Sequence, residues 1–185
     1  MTNGFHYYHL NFIQKKPCAD NSAHLFTLVY TFHSEVTKLK YVVQAEYHVN
    51  NIFAIKFYAK PHRKSDLKYS KIVNKGDVHN ILTTIASLVP HLLKTYPDAS
   101  FGFIGSRSYD KKVQKVEPYS RNQRFRIYGE LVKRLFGDQT FSHFSYDEIS
   151  AYLLVNKSVE DVKLKRRQIE IMFIDTYTEI HNLFI

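Results

Sequence analysis

Apolar and polar residues alternate with a period of two along the first third of the chain. Three segments show the pattern, at residues 24–33, at 40–48 and in a third run that follows Asn50-Asn51. Aromatic and β-branched residues fill the alternating positions, which is typical of strands with one buried face. Because the connections are short, the pattern predicts an antiparallel meander, with residues 6–13 as an additional edge strand.

The period changes to 3.6 over residues 78–93, where isoleucine, leucine and valine form one apolar stripe. Such a stripe predicts an amphipathic helix, with Asn74 or Asp77 as its N-cap. Pro90 lies inside the stripe and is expected to kink the helix or to end a first helical segment. A short strand is predicted before the helix, over residues 68–73.

The apolar run at residues 99–105 predicts a buried strand, and residues 141–155 predict one or two more. Between them, Ser120 and Gln123 have the spacing of a capping box, which predicts a helix that starts there and continues to about Phe136.

A last helix is predicted from the capping pair Ser158 and Asp161 to about residue 183. Taken together, the elements predict an α+β fold in which a curved antiparallel β-sheet packs against two or three helices. We interpret residues 1–157 as a single α+β domain. Residues 158–185 would then form a long C-terminal helix, packed on that domain or on a partner chain.

The chain carries 26 Lys and Arg against 17 Asp and Glu, a net charge of +9. Such a surface attracts nucleic acid, anionic membranes or acidic proteins. No apolar run is long enough to span a membrane, and the N-terminal residues do not resemble a signal peptide, so a cytoplasmic protein without membrane contact is predicted. The only cysteine, Cys18, excludes a disulfide framework.

Positive charge is concentrated between Gly105 and Arg134, where basic residues are interleaved with tyrosine and phenylalanine. A strand end followed by small residues and arginines is a suitable place for an anion. The residues predicted to bind phosphate or nucleic acid in this basic segment are Ser106, Arg107, Lys111, Lys112, Arg121, Arg124 and Arg126.

A metal-independent ribonuclease needs a proton-transferring group close to phosphate-binding cations. Under that hypothesis Arg124 and Arg126 clamp a phosphate, and Tyr128 or His143 transfers the proton. The alternative is that the basic residues form a solvated helix face. The ten histidines show no metal-binding spacing, so neither a metal nor another cofactor is predicted.

Four short motifs stand out in the sequence: Asn74-Lys75-Gly76-Asp77, Leu82-Thr83-Thr84, Tyr96-Pro97-Asp98-Ala99 and Gly105-Ser106, the last followed by Arg124, Arg126 and Tyr128. They are similar to motifs of an uncharacterised family of small bacterial proteins, found mainly in Bacteroidetes. The resemblance covers residues 25–130 and implies a curved sheet with helices, without an assigned activity. In the present chain its last element is expanded by a basic insertion.

Two functional classes follow from the sequence. The first is a small basic protein that interacts with RNA or DNA, including an RNA-targeting toxin of a toxin–antitoxin pair or a phage-defence effector. The second is a non-enzymatic binding protein that recognises an acidic protein partner, such as an antitoxin, or forms a homodimer through its C-terminal helix. The lack of a clear acid–base pair favours binding over catalysis.

Overall fold

The computed structural model describes residues 7–71, 75–110 and 115–177, and these form an α+β fold built on a seven-stranded sheet. The strands of this sheet are β1 (Asn11–Pro17), β2 (His24–Ser34), β3 (Leu39–His48), β4 (Ile52–Ala59), β5 (Ser100–Ile104), β8 (Phe141–Tyr146) and β9 (Ala151–Asn156). The helices are α1 (Val78–Ala86), α2 (Leu88–Leu93), α3 (Gln123–Thr140) and α4 (Val162–Thr176). The strands β6 (Tyr109–Asp110) and β7 (Lys115–Val116) pair as a separate two-stranded antiparallel sheet.

The order of the strands across the sheet is β1-β2-β3-β4-β5-β9-β8. The predicted meander is confirmed, because β1 to β4 are sequential antiparallel neighbours. At the hairpin between β3 and β4, Asn50 and Asn51 both have positive φ, which asparagine tolerates better than most residues. The pairing of β4 with β5 is parallel, so the sheet is mixed rather than purely antiparallel.

The sheet carries helices on both faces. Successive residues of a strand point to opposite sides, so neighbouring residues belong to different cores. Phe53, Phe101 and Leu154 belong to the larger core with residues of α1, α2 and α3. Their neighbours Ile52 and Leu153 face the other way and pack with residues of α4. The last helix, where it is described, therefore covers the sheet face opposite to the other three.

Pro90 interrupts the first long helical pattern, as expected, but the break lies upstream of the proline. Helix α1 ends at Ala86 and α2 starts at Leu88, so Pro90 occupies the first turn of α2. A proline ring clashes with the carbonyl group four residues earlier, here that of Ala86, and provides no N–H to bond to it. The first turn of a helix tolerates the missing donor.

Two predicted boundaries were wrong. The edge strand lies at residues 11–17 instead of 6–13, because that stretch is the one that pairs with β2. Residues 68–71 lie in turns rather than a strand, since the N–H of Lys68 donates to Ser65 and those of Ser70 and Lys71 donate to Leu67; residues 72–74 lie outside the described part of the chain. The last helix is described to Thr176, and residues 178–185 lie outside the description.

The N-cap of α3 also differs from the prediction. Asn122, and not Ser120, precedes the helix with an extended backbone, and its side chain accepts a hydrogen bond from the N–H of Phe125. At the last helix only the second residue of the predicted pair caps: the carboxylate of Asp161 accepts from the N–H of Leu164, whereas Ser158 lies three residues earlier. Asparagine and aspartate are both favoured caps, so the sequence pattern alone did not distinguish Asn122 from its neighbour.

The carboxylate of Asp77 connects the N-terminal segment, β2 and α1. Asp77 is 2 % exposed and precedes α1, but its side chain does not cap the helix. The hydroxyl groups of Tyr8 (2.8 Å) and Ser34 donate to Oδ2, and the amide of Asn80 donates to Oδ1 at 2.8 Å. This part of the resemblance motif therefore has a structural role in the fold.

We expect Asp77→Ala to lower the free energy of unfolding by about 2 kcal/mol or more, because three side-chain donors lose their acceptor in a buried site. Thermal or denaturant unfolding measures the change. Asp98→Ala is the matched control, since Asp98 is exposed and accepts one hydrogen bond, from Ser158. Equal losses in the two variants would contradict the role assigned to Asp77.

Candidate functional site

The start of α3 is fixed against the end of β5 by the side chain of Asn122. Its amide donates to the carbonyl oxygen of Gly105, and its own N–H donates to the hydroxyl of Ser150 at 2.9 Å. A Cβ atom at Gly105 would lie 2.5 Å from Oδ1 of Asn122 and 2.8 Å from the backbone nitrogen of Phe125. The corner between strand and helix is therefore closed so tightly that only glycine fits.

Gly105 serves this close packing rather than an anion. Its N–H donates to the carbonyl oxygen of Ser150 at 2.8 Å, so this donor already has a partner. The anion site that the sequence predicts at Gly105-Ser106 would have to use the serine and the arginines instead of the glycine backbone.

Three of the predicted residues line one cavity of about 500 Å³: Ser106, Arg124 and Tyr128. Ser106 follows the corner glycine, whereas Arg124 and Tyr128 lie four residues apart on α3 and so project from the same side of the helix. The volume is within the range of pockets that bind small organic ligands.

The cavity lies where β4 and β5 separate. Their parallel ladder comprises the three pairs Ile52–Ser100, Phe53–Phe101 and Ala54–Gly102. Beyond Ala54 the strand β4 remains paired with β3, and beyond Gly102 the strand β5 remains paired with β9. A crevice beyond the carboxyl ends of parallel strands is where open sheets commonly bind ligands.

Aromatic rings form much of the wall. The ring of Tyr128 lies 5.4 Å from that of Phe103 and 6.0 Å from that of Phe57, measured between centroids. Phe103 in turn stacks on Tyr152 at 5.5 Å with nearly parallel planes. From the opposite face of the sheet, Phe173 of α4 also lines the cavity.

Arg124 brings an unneutralised positive charge to the cavity. One guanidinium nitrogen donates to the carbonyl oxygen of Lys71 at 3.0 Å. Among the described residues, no carboxylate forms an ion pair with it. Burial lowers the pKa of Arg124, while Tyr128 and Glu117 act in the opposite direction. A partly buried guanidinium without a counter-ion is a suitable partner for an anionic ligand.

The hydroxyl groups of Tyr128 and Ser106 can also donate hydrogen bonds to a ligand in the cavity. Burial raises the pKa of Tyr128 to about 12, an effect that Arg124 partly opposes, so the phenol is protonated at neutral pH. Within the described residues neither Tyr128 nor Ser106 makes a hydrogen bond through its hydroxyl. Arg124, Tyr128 and Ser106 thus contribute three sets of donors to one space.

A model for a family of unknown function matches residues 21–158, which is more than half of the chain. The chain belongs to this family, DUF6934. No curated protein and no solved structure matches it significantly. The family match includes β5 and α3, with Gly105, Arg124 and Tyr128, whereas α4 and its cavity-lining residue Phe173 lie beyond it.

The other predicted arginines lie outside the cavity lining. Arg126 is exposed and follows Arg124 by two positions on α3, which places the two side chains on different sides of the helix. Arg121 is exposed beside Asp147 at 3.4 Å. The guanidinium of Arg107 stacks on the ring of Tyr119 at 3.6 Å. The structure therefore does not form the predicted clamp of Arg124 with Arg126, and Lys111 and Lys112 lie outside the described residues.

His143 lies on β8, with its ring 5.9 Å from that of Tyr152, measured between centroids. Its Nε2 donates to the carbonyl oxygen of Gly137 at 2.9 Å, and its Nδ1 accepts from the hydroxyl of Tyr152 at 2.9 Å. Both ring nitrogens thus have partners, and His143 is not part of the cavity lining. Of the two alternatives predicted for proton transfer, Tyr128 lines the cavity and His143 does not.

Sequence reasoning missed the polar residues that reach the cavity from β4, from α4 and from the loop after β4. Lys56 pairs with Glu46 at 2.7 Å, and Glu170 pairs with Arg166 at 2.7 Å. Tyr69 donates to Gln44. The high tyrosine content was the one available signal, because these residues are far apart in sequence and meet only through the sheet.

His48 of β3 contacts Tyr177, the residue that follows the last turn of α4. It is fully buried; its Nδ1 donates to the carbonyl oxygen of Glu46, and its Nε2 accepts from the hydroxyl of Tyr177 at 2.7 Å. Burial lowers the pKa of His48 to about 4, and the adjacent His24 acts in the same direction. Tyr177 lines the cavity, so this hydrogen bond helps to position one of its walls.

Within the parts of the chain that the structure describes, no His, Cys, Asp or Glu side chains are grouped so as to hold a metal ion. In the same residues, no helix has the length and apolar content needed to cross a membrane.

We expect Gly105→Ala to destabilise the protein by about 1–3 kcal/mol, because the added methyl group forces Asn122 and the start of α3 to move. Gly129→Ala is the matched control, since its Cβ would meet the Tyr152 ring at an ordinary 3.6 Å and alanine favours the helix. Chemical denaturation measures both. A Gly105→Ala protein as stable as the control would show that the corner is looser than described.

His48 should make the protein less stable in acid. Above about pH 6.5 the residue is neutral in both the folded and the unfolded chain, and between pH 6.5 and 4 only the unfolded chain takes up the proton. Stability therefore falls as the pH is lowered, by about 3 kcal/mol at pH 4. Denaturation over this range should show a shallower pH dependence in His48→Gln than in the exposed control His33→Gln. Identical slopes would contradict the prediction.

Proposed function

We propose that this protein binds nucleic acid, RNA in the first instance, at the place where β5 meets the start of α3. The observation that carries the proposal is Arg124, a partly buried guanidinium without a carboxylate partner among the described residues. Tyr128 and Ser106 present hydroxyl donors in the same cavity. Charge-assisted and neutral donors directed to one place are what a phosphate group requires.

Further cations surround this position. Asn122 bonds to both Gly105 and Ser150, and Ser150 donates to the carbonyl oxygen of Tyr119, so the segments bearing Arg107 and Arg121 are held beside the start of α3. Arg107 stacked on Tyr119 offers a flat cationic surface of the kind that contacts single-stranded nucleic acid. Lys111 and Lys112 of the basic segment belong to the proposal on the strength of the sequence alone.

The geometry supports binding better than catalysis. A phenol with a pKa of about 12 can donate a hydrogen bond at neutral pH but is a poor proton acceptor, and both nitrogens of His143 are engaged. The ribonuclease alternative, with a role as a toxin or phage-defence effector, therefore needs a proton-transferring group other than the predicted pair.

A protein partner is the second candidate. The apolar stripe of α4 was expected to serve as a dimer or antitoxin surface, but Ile169 and Met172 of that helix pack on the sheet. Leu164 and Ile171 remain exposed on it. Because the buried part of the stripe is already used within the chain, nucleic acid remains the better-supported partner.

The resemblance to small Bacteroidetes proteins and the expected cytoplasmic location are part of this proposal. Because a bacterial cytoplasmic protein would encounter bacterial RNA, an RNA of bacterial sequence is the first probe to test.

We expect a fluorescently labelled single-stranded RNA of 12 nucleotides to bind with an affinity that falls steeply as salt rises from 50 to 200 mM. Removing two phosphate contacts with Arg121→Ala/Arg124→Ala should reduce the log–log salt slope by about 1.4. The charge-matched control is Lys163→Ala/Arg167→Ala, which alters two exposed cations of α4. Fluorescence anisotropy measures both slopes. A flat salt response in the wild type would point to a protein partner instead.

On a denaturing gel the same RNA should stay intact, with or without EDTA. Cleavage that survives EDTA and disappears in Arg124→Ala would replace simple binding with ribonuclease activity at this site. Growth inhibition on expression, relieved by the same substitution, would then support the toxin role.

A further inference from the structure

The cavity is much larger than a phosphate group needs. The cavity has a volume of about 500 Å³. Arg124, Tyr128 and Ser106 form part of its lining, and the rest consists largely of aromatic and aliphatic side chains on both faces of the sheet. A surface site for phosphate alone would not require a space that passes between two strands.

We propose that this cavity holds one nucleotide unit, with its base among the aromatic rings and its phosphate on Arg124. This inference deepens the proposed function and rests on it for the choice of ligand. It adds a site for the base to the phosphate-binding position at Arg124.

The cavity lining supplies aromatic rings that a planar base can contact. Phe103, Tyr128 and Phe57 meet at centroid distances of 5.4 and 6.0 Å, and Phe103 stacks on Tyr152. Stacking on such rings accepts any base, because every base has a π-face. The nearby arginine can bind the phosphate and contact the base plane as well.

Polar groups for the edges of a base are also present. Where β4 and β5 separate, the ladder stops at Ala54–Gly102, so the facing edges of both strands beyond that pair carry backbone N–H and C=O groups without a strand partner. The hydroxyl groups of Tyr128 and Ser106 have no hydrogen bond within the described residues. An alkyl chain would leave these groups buried without partners, at a cost in free energy, whereas a base or sugar can bond to them.

The charges around the cavity favour an anion at one end. Lys56 is paired with Glu46, and Glu170 is paired with Arg166, so these two pairs are each neutral. Asp66 is the remaining acidic residue of the lining and is exposed at the surface. Arg124 is the cation left without an ion-pair partner in the described lining, so the negatively charged part of a ligand should lie against α3.

The first experiment is calorimetric titration with 5′-UMP and 5′-AMP, with uridine, adenosine and inorganic phosphate as partial ligands. Both nucleotides should bind more tightly than their nucleosides or phosphate. Arg124→Gln should weaken nucleotide binding by at least about tenfold, since it removes charge-assisted hydrogen bonds. Arg126→Gln, on the same helix but outside the cavity lining, should leave it unchanged.

Tyr128→Phe is the second variant, because it keeps the ring and removes only the hydroxyl group. It should weaken nucleotide binding by about fivefold, the value of one neutral hydrogen bond. Circular dichroism and thermal unfolding show whether each variant is folded, so a loss of binding in the Arg124→Gln protein is not mistaken for unfolding.

The second experiment distinguishes a free nucleotide from a base within a strand. A 12-mer of abasic sugar phosphates is compared by anisotropy with the same strand carrying a single uracil. One base should tighten binding by roughly 5- to 150-fold, as expected for a base stacked on aromatic side chains. In Tyr128→Leu, which removes the ring, this gain should become smaller, whereas in Arg126→Gln it should remain.

The outcomes separate the two proposals. RNA binding that is equal for both strands, together with no mononucleotide binding, overturns the base-binding cavity and leaves the proposed function intact. Mononucleotide binding that depends on Arg124, without RNA binding, supports the cavity with a free nucleotide as its ligand and overturns the proposed function. Binding of neither overturns both.

Discussion

The short parallel ladder between β4 and β5 is the constraint on which the rest of the structure depends. It joins the N-terminal meander to the C-terminal strands in one sheet, yet it contains three residue pairs before the strands separate. Beyond it each strand follows its antiparallel neighbour, and the divergence opens the space that becomes the cavity. Because the gap passes through the sheet, side chains from α3 on one face and α4 on the other reach the same space.

The corner at Gly105 determines what α3 presents to that space. Asn122 bonds to the end of β5 and caps the first turn of α3, so the direction of the helix is fixed at its first residue. Arg124 and Tyr128 follow within two turns, where fraying or a shift of the helix would otherwise move them. A small structural feature, one glycine against one asparagine, thus positions the groups that could bind a ligand.

The fold class and most elements could be predicted from the sequence, because they depend on local periodicity. The meander strands, the helical region over residues 78–93 and the helix predicted to run to about Phe136 follow from which positions are apolar. The errors lie at the boundaries: the edge strand is displaced, the turn at residues 68–71 resembled a strand, and Ser120 was chosen as the cap of α3. In each case several residues suited the same role, and pairing partners distant in sequence made the choice.

The candidate site could be predicted only in part. Concentrated charge drew attention to the basic segment, and Ser106, Arg124 and Tyr128 of that segment line one cavity. The pairing of Arg124 with Arg126 failed because helical geometry turns them to different sides, and His143 is held by Tyr152 and Gly137 instead. The residues contributed by β4 and α4 had no signal that linked them to the basic segment.

The sequence by itself determined the order of strands and helices, the basic character of the chain and which side chains can donate hydrogen bonds to a ligand. These are properties of each residue and its close neighbours. The tertiary structure decided where β4 and β5 part, which carboxylates neutralise which cations, and that Arg124 is left without one among the described residues. These features depend on contacts between segments far apart in the chain, and the local pattern of apolar and polar residues does not predict which segments come into contact.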